Sequence, residues 1–216
     1  MLNSVSETTR RRLSADDRRR QLVGIGLQML TTQPIHQLSI DAVAEQAGIS
    51  RGLLFHYFPT KRDFYVAVMR AAGRRLLRQT RPDPALPPTE QLRQMLTAYV
   101  AFVDRRRDAY ISWVRGAAGG DTFVVEVYDE TRAALTTRVL GTLGESAVAV
   151  DAASARRMTV HAWFAYVEDL ALEWSALAEP RPLGAGDLVD LAIAALDALL
   201  GLAPRSERHP VRPTRS

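Results

Sequence analysis

The segment Ser39–Lys61, SIDAVAEQAGISRGLLFHYFPTK, leaves the chain little architectural choice. It reads as a short helix, a tight turn and a second short helix stopped by Pro59. Ser39 is placed to cap the first helix, with Asp41 in its first turn, where the helix dipole favours an anion. Ala42, Val43, Ala47 and Ile49 give that helix an apolar side. Gly48 stands where the chain reverses, and a glycine there enters the left-handed backbone region without a Cβ clash. Ser50 is placed to cap the second helix. On it, Leu54 and Phe58 lie four apart and turn inward, while Arg51, Gly52, Phe55 and His56 fall on the other side. A helix with a polar, basic, glycine-containing outer face, held by a tight turn against another helix, is the helix-turn-helix design.

Charge is distributed to match. Residues 1–80 carry 13 Lys and Arg against 6 Asp and Glu, a balance of +7. Residues 81–216 carry 15 against 18, or −3, which together give the net +4. The excess of cations thus falls on the segment that contains the helix-turn-helix, as a phosphate-facing domain requires. The chain has no cysteine, which excludes disulfides and thiolate metal sites, and its four histidines share no ligand-like spacing. No metal and no cofactor is expected. The N-terminal residues lack the apolar core of a signal peptide. The longest apolar run, Leu188 to Ala203, is interrupted by Asp190 and Asp197 and is too short to span a bilayer. A soluble cytoplasmic protein with no membrane partner is expected.

Helical patterning continues throughout, and no strand is convincing. Residues 1–13, with Arg10, Arg11 and Arg12, read as a disordered basic arm. Ser14 opens a first helix, with Asp17 completing a capping box and Leu22, Ile25, Gly26, Met29 and Leu30 as its buried stripe. Thr60 and Asp63 form a second capping box for a helix that runs to about Thr80. Lys61 lies in the first turn of that helix, against the dipole, a placement that suits a phosphate contact. The run Arg81-Pro-Asp-Pro-Ala-Leu-Pro-Pro88 is the clearest break. Beyond it, patterning gives helices from Thr89, from Ala109, from about Asp121, from Asp151 to about Ala178, and from Leu188 to Leu202. The last two are apolar on more than one face and need burial on several sides. A second copy of the chain supplies that through a four-helix bundle. Residues 204–216, rich in proline and arginine, read as a disordered tail. The fold expected is all-α, about nine helices: a helix-turn-helix domain over 14–62 and a ligand-binding and dimerising body over 63–203.

One competing motif needs weighing. Gly48-Ile-Ser-Arg-Gly52 matches G-x-S-x-G, the nucleophile elbow of hydrolases. That elbow needs a strand before the serine to aim its hydroxyl. A helix precedes it here, so Ser50 is a cap and the chain is not expected to be an enzyme.

Residues 20–75 resemble the DNA-binding domain of the TetR family of transcriptional regulators. The resemblance rests on Ala44, Ala47-Gly48-Ile49-Ser50, Gly52, Leu54, Phe55, Phe58 and Lys61, spaced without insertion. Three positions depart from the commoner form. Pro34 stands where a turn glycine is usual, Phe55 replaces a tyrosine, and Tyr57 replaces a histidine while offering a hydroxyl nearby. The resemblance implies a homodimer, joined through the last two helices, that lays two recognition helices in successive major grooves of a palindromic operator. In that reading Arg51 and His56 read base edges, Leu53 touches a thymine methyl, and Gly52 admits the DNA backbone. Ser39, Tyr57 and Lys61 hold phosphates, and Ser50 and Phe55 complete the interface. The resemblance also implies a small effector that releases the operator. Tyr99, Phe102, Trp113, Phe123, Tyr128, Trp163, Phe164 and Trp174 are the candidate lining, with few charges, which suits a mostly apolar compound. The alternatives are a constitutive DNA binder whose aromatics are pure core, or a helical enzyme, for which no catalytic constellation is present.

Overall fold

The computed structural model describes residues 14–30, 35–118, 122–144 and 155–202. The basic arm over 1–13, the tail over 204–216, Pro34 and Asp151 lie outside these residues. Nine α-helices and one 3₁₀ turn account for most of the described chain: α1 (Ala15–Met29), the 3₁₀ turn (Ile35–Gln37), α2 (Ile40–Gln46), α3 (Arg51–Tyr57), α4 (Lys61–Gln79), α5 (Pro88–Arg105), α6 (Arg107–Ala118), α7 (Thr122–Thr142), α8 (Ala155–Ala176) and α9 (Ala185–Leu202). No strand occurs among the described residues. The chain forms two compact units that divide between Ala71 and Ala72, inside α4.

In the first unit α1 packs on α2 and α3, and α2 on α3. Leu22, Val43, Leu54, Phe58, Phe64 and Val68 are fully enclosed and form its core. Polar caps set where the helices begin. Asp17 N–H donates to Ser14 Oγ at 3.1 Å, and the Ser14 hydroxyl donates back to the Asp17 carboxylate at 2.6 Å. The same reciprocal box forms at α4, where Thr60 N–H donates to Asp63 Oδ2 at 2.9 Å and Asp63 N–H to Thr60 Oγ1 at 3.1 Å. Gly26 allows α1 and α4 to touch: a Cβ there would meet Val68 Cγ2 at 2.6 Å.

In the second unit α8 is the central helix, packed against α5, α6, α7 and α9, with α5 also on α9. Its buried positions, Val160, Trp163, Phe164, Val167, Glu168, Ala171 and Trp174, recur at three and four residues. Trp163 Nε1–H donates to the Ala192 carbonyl of α9 at 2.8 Å. Trp174 Nε1–H donates to the Leu183 carbonyl at 2.7 Å, and the Arg181 guanidinium stacks 3.9 Å from the Trp174 ring. Arg181 continues to Asp104 of α5 at 2.7 Å, which pins the α8–α9 connection. The exposed side chains of α8 and α9 include Met158, Tyr166, Leu191, Leu199 and Leu202, with Leu177 just beyond α8. No described helix is long and apolar enough to cross a membrane.

Candidate functional site

The turn between α2 and α3 builds the first candidate site. Gly48 adopts φ +65°. Ile49 N–H returns to the Ala44 carbonyl at 3.0 Å, and Gly48 N–H to the Glu45 carbonyl at 2.9 Å. This is the paired-hydrogen-bond ending of a helix on a left-handed glycine. Ser39 and Ser50 then cap the two helices, accepting from Ala42 N–H at 3.3 Å and Leu53 N–H at 3.2 Å. With Leu54 and Phe58 sealed in the core, α3 can turn only its other side outward. Arg51, Gly52, Leu53 and His56 are exposed there, Phe55 and Tyr57 are half-buried at its edges, and Ser39 and Lys61 are exposed beside it.

The side chains on that surface are partly preset. Arg51 Nη1 donates to both carboxylate oxygens of Asp41, at 2.9 and 2.8 Å, and its guanidinium lies 5.4 Å from the Phe55 ring. Both members of the pair are well exposed, so it contributes about 1 kcal/mol or less and yields readily to a stronger anion. Lys61 Nζ rests 5.0 Å from the Tyr65 ring. Arg19 has an internal part, which sequence alone does not reveal: it donates to the Tyr57 carbonyl at 2.6 Å and covers the Phe58 ring at 4.3 Å, closing the end of α3. A Cβ built on Gly52 would meet no side chain nearer than Ser50 Oγ at 3.9 Å, so nothing inside the protein requires a glycine at that position.

The second candidate site is a small, partly open cavity in the second unit, about 10 Å³ and close to the size of one water molecule. Leu76 of α4, Tyr110 and Trp113 of α6, Tyr128, Thr131, Arg132 and Leu135 of α7, and Phe164 and Glu168 of α8 surround it. Of the eight side chains expected to line a cavity, Trp113, Tyr128 and Phe164 do so. Tyr99 stands behind it, Trp163 and Trp174 are spent tying α8 to its neighbours, Phe102 packs edge-on to Tyr110, and Phe123 is half-buried on α7.

The lining, expected to carry few charges, carries two, Glu168 and Arg132. Tyr110 donates to Glu168 Oε1 at 2.6 Å, and the Tyr128 hydroxyl donates to Glu168 Oε2. The Tyr110 proton being committed, the Tyr99 hydroxyl donates to Tyr110 oxygen at 2.8 Å. The chain of hydrogen bonds therefore has one direction, from Tyr99 through Tyr110 to the carboxylate and from Tyr128 to its other oxygen. Burial, reinforced by the Glu168 charge, holds all three phenols above their ordinary pKa. Arg132 Nη1 reaches the Tyr128 hydroxyl at 3.3 Å and Nη2 the His161 carbonyl at 3.2 Å. Glu168 was legible in principle: it is an acid on the buried stripe of α8, four residues after Phe164.

Two family models match the chain. "Bacterial regulatory proteins, tetR family" covers residues 26–68, and "Tetracyclin repressor-like, C-terminal domain" covers residues 88–196, about half the chain. The chain belongs to the TetR family. Its members are DNA-binding transcriptional regulators rather than enzymes. The family's helix-turn-helix is α2–α3, and its helical body is α5–α9. A regulator named HTH-type transcriptional activator FasR, from Mycolicibacterium smegmatis, is 34% identical over 94 residues, 43% of this chain. The match spans 42% of that relative's length. A solved tetR-family regulator from Streptomyces coelicolor superposes with a TM-score of 0.74 at 28% identity, over 88% of this chain and 83% of the other. A regulator structure from Pseudomonas aeruginosa PAO1 has the same fold, with a TM-score of 0.66 at 22% identity over 91% and 97% of the two chains.

Proposed function

We propose that this TetR-family regulator is a ligand-responsive repressor that binds a palindromic operator as a homodimer and lets go when a small, largely apolar effector enters the body. The observation that carries the DNA-binding half is the division of α3, with Leu54 sealed inside and Arg51, Gly52, Leu53 and His56 outside. Arg51 and His56 face base edges, Leu53 offers a methyl contact, and Ser39, Tyr57 and Lys61 hold phosphates. Residues 14–62 serve as the DNA-binding domain and 63–203 as the effector and dimer body. The dimer reading draws on the exposed Met158, Tyr166, Leu191, Leu199 and Leu202 of α8 and α9, apolar side chains that a second copy would cover. The effector reading draws on the aromatic walls of the cavity in α6–α8. A molecule larger than one water fits only after those helices part, so it binds the parted conformation more tightly. That difference in affinity is what can release DNA. The site of action is cytoplasmic.

Selection of duplexes from a random pool by the purified protein tests the reading. The expected result is an inverted repeat bound by a dimer, as judged by light scattering, with affinity falling steeply as salt rises. Equal affinity for selected and random DNA, or a monomer at micromolar concentration, contradicts it. A reporter behind the selected operator gives the sign: expression rising when the gene is deleted supports repression, and expression falling supports activation.

A further inference from the structure

We propose, building on the effector-site reading above, that the polar end of the effector is an oxygen acceptor, a carboxylate or an acyl carbonyl, taken by Trp113 Nε1–H and Arg132 Nε–H. Both residues line the cavity. Trp113 is only 4% exposed, and its indole N–H has no acceptor. Arg132 has both terminal nitrogens engaged, to Tyr128 and to the His161 carbonyl, while its Nε is buried without a partner. Buried polar groups are nearly always satisfied, and a donor left bare in a cavity wall is a place reserved for an acceptor.

The same cavity holds a carboxylate, which at first points to a cationic ligand. Its wiring argues otherwise. Each Glu168 oxygen already receives a tyrosine hydroxyl, and each of those tyrosines has given its one proton. The guanidinium of Arg132 stands in the same wall and disfavours a second cation. What remains unmet is donation, from two N–H groups. The indole plane is fixed by edge-on contacts with Tyr110 at 5.7 Å and Tyr128 at 5.9 Å, so its N–H is held in one direction. Leu76, Leu135 and Phe164 supply apolar wall for the remainder of the molecule. The two sources of such an acceptor, a free acid and an activated acyl group, share this chemistry.

The test uses the full chain and six-carbon probes that differ only at the head: hexanoate, S-hexanoyl-N-acetylcysteamine and hexylammonium, with binding followed by calorimetry and operator release by fluorescence anisotropy. Hexanoate or the thioester is expected to bind and release operator, and hexylammonium to do neither. The better of the two names the source, free acid or acyl thioester. Trp113→Phe keeps an aromatic ring and removes the donor, and should weaken the better probe about tenfold. Arg132→Lys, which keeps the charge and loses Nε, should weaken it comparably while unliganded operator affinity stays unchanged. Tighter binding of hexylammonium overturns the proposal and leaves the effector site standing. So does an unchanged affinity in both variants, each shown folded by its thermal transition. If no probe binds or releases operator, the proposal and the effector reading fall together.

Discussion

At the scale of single residues, Gly52 separates folding from function most sharply. It is exposed within α3, and a Cβ added there would meet nothing closer than Ser50 Oγ at 3.9 Å. Gly52→Ala should therefore stabilise the fold by about 0.5–1 kcal/mol through helix propensity, visible as a higher thermal midpoint. If DNA approaches that backbone, the same change weakens operator binding; a variant that gains stability and keeps full affinity places DNA elsewhere. Arg51 and Lys61 should fail in different ways. Arg51→Ala should cost about 1–3 kcal/mol on the selected operator and relax preference at one base position per half-site, whereas Lys61→Ala should weaken all duplexes alike and flatten the salt dependence. Salt-titrated binding curves on selected and random DNA separate the two. The outward set of α3 was legible because a seven-residue helix with two core anchors leaves its other side no choice. The Asp41 partner of Arg51 was not, since the pair joins residues ten apart across a turn whose geometry only the fold supplies.

At the scale of elements, helix positions follow from capping and period. Ser14–Asp17, Thr60–Asp63 and the prolines before α5 place the starts that periodicity alone leaves loose. The short 3₁₀ turn at Ile35–Gln37 carries no such signal and was not foreseen. What periodicity could not reveal was how a polar residue on a buried stripe is used. Glu168 sits in step with Phe164 and Ala171, and only the arrival of two tyrosines from α6 and α7 explains its burial. Helix α4 is held to α7 by similar devices. A Cβ on Gly73 would stand 2.5 Å from Thr131 Oγ1, and Arg138 of α7 donates to the Leu77 carbonyl at 2.9 Å and to Thr80 Oγ1 at 2.8 Å, capping the last turn of α4. Gly73→Ala should accordingly destabilise the protein by about 1–3 kcal/mol. Adding Thr131→Ala should recover most of the loss, since the Thr131 hydroxyl otherwise bonds only within its own helix. A chemical-denaturation double-mutant cycle checks this, and additive losses would contradict it.

At the scale of the whole molecule, the interior phenols set an alkaline limit. Tyr99, Tyr110 and Tyr128 have pKa values raised above the ordinary 10.0, so the folded state favours their neutral forms. The stability this confers is complete below pH 10 and is lost progressively as the pH rises beyond it, because an unfolded chain can ionise what the folded one cannot. An ultraviolet titration should show a share of the tyrosinate signal appearing only together with loss of helix; smooth ionisation with helicity intact would contradict it. Assembly is also tested at this scale. Leu199→Glu, on the exposed side of α9, should lower the sedimentation mass towards one chain and depress operator affinity, while its midpoint of unfolding at high dilution stays near that of the parent. The smallness of the cavity, about 10 Å³, bears on time as well as on space. On the proposed effector reading, a molecule larger than one water does not fit that space, so its entry waits on the helices. In a stopped-flow experiment the observed rate should climb with effector concentration and then level off at the opening rate, far below the diffusional limit, and that plateau would set how soon a cell could respond after the compound appears.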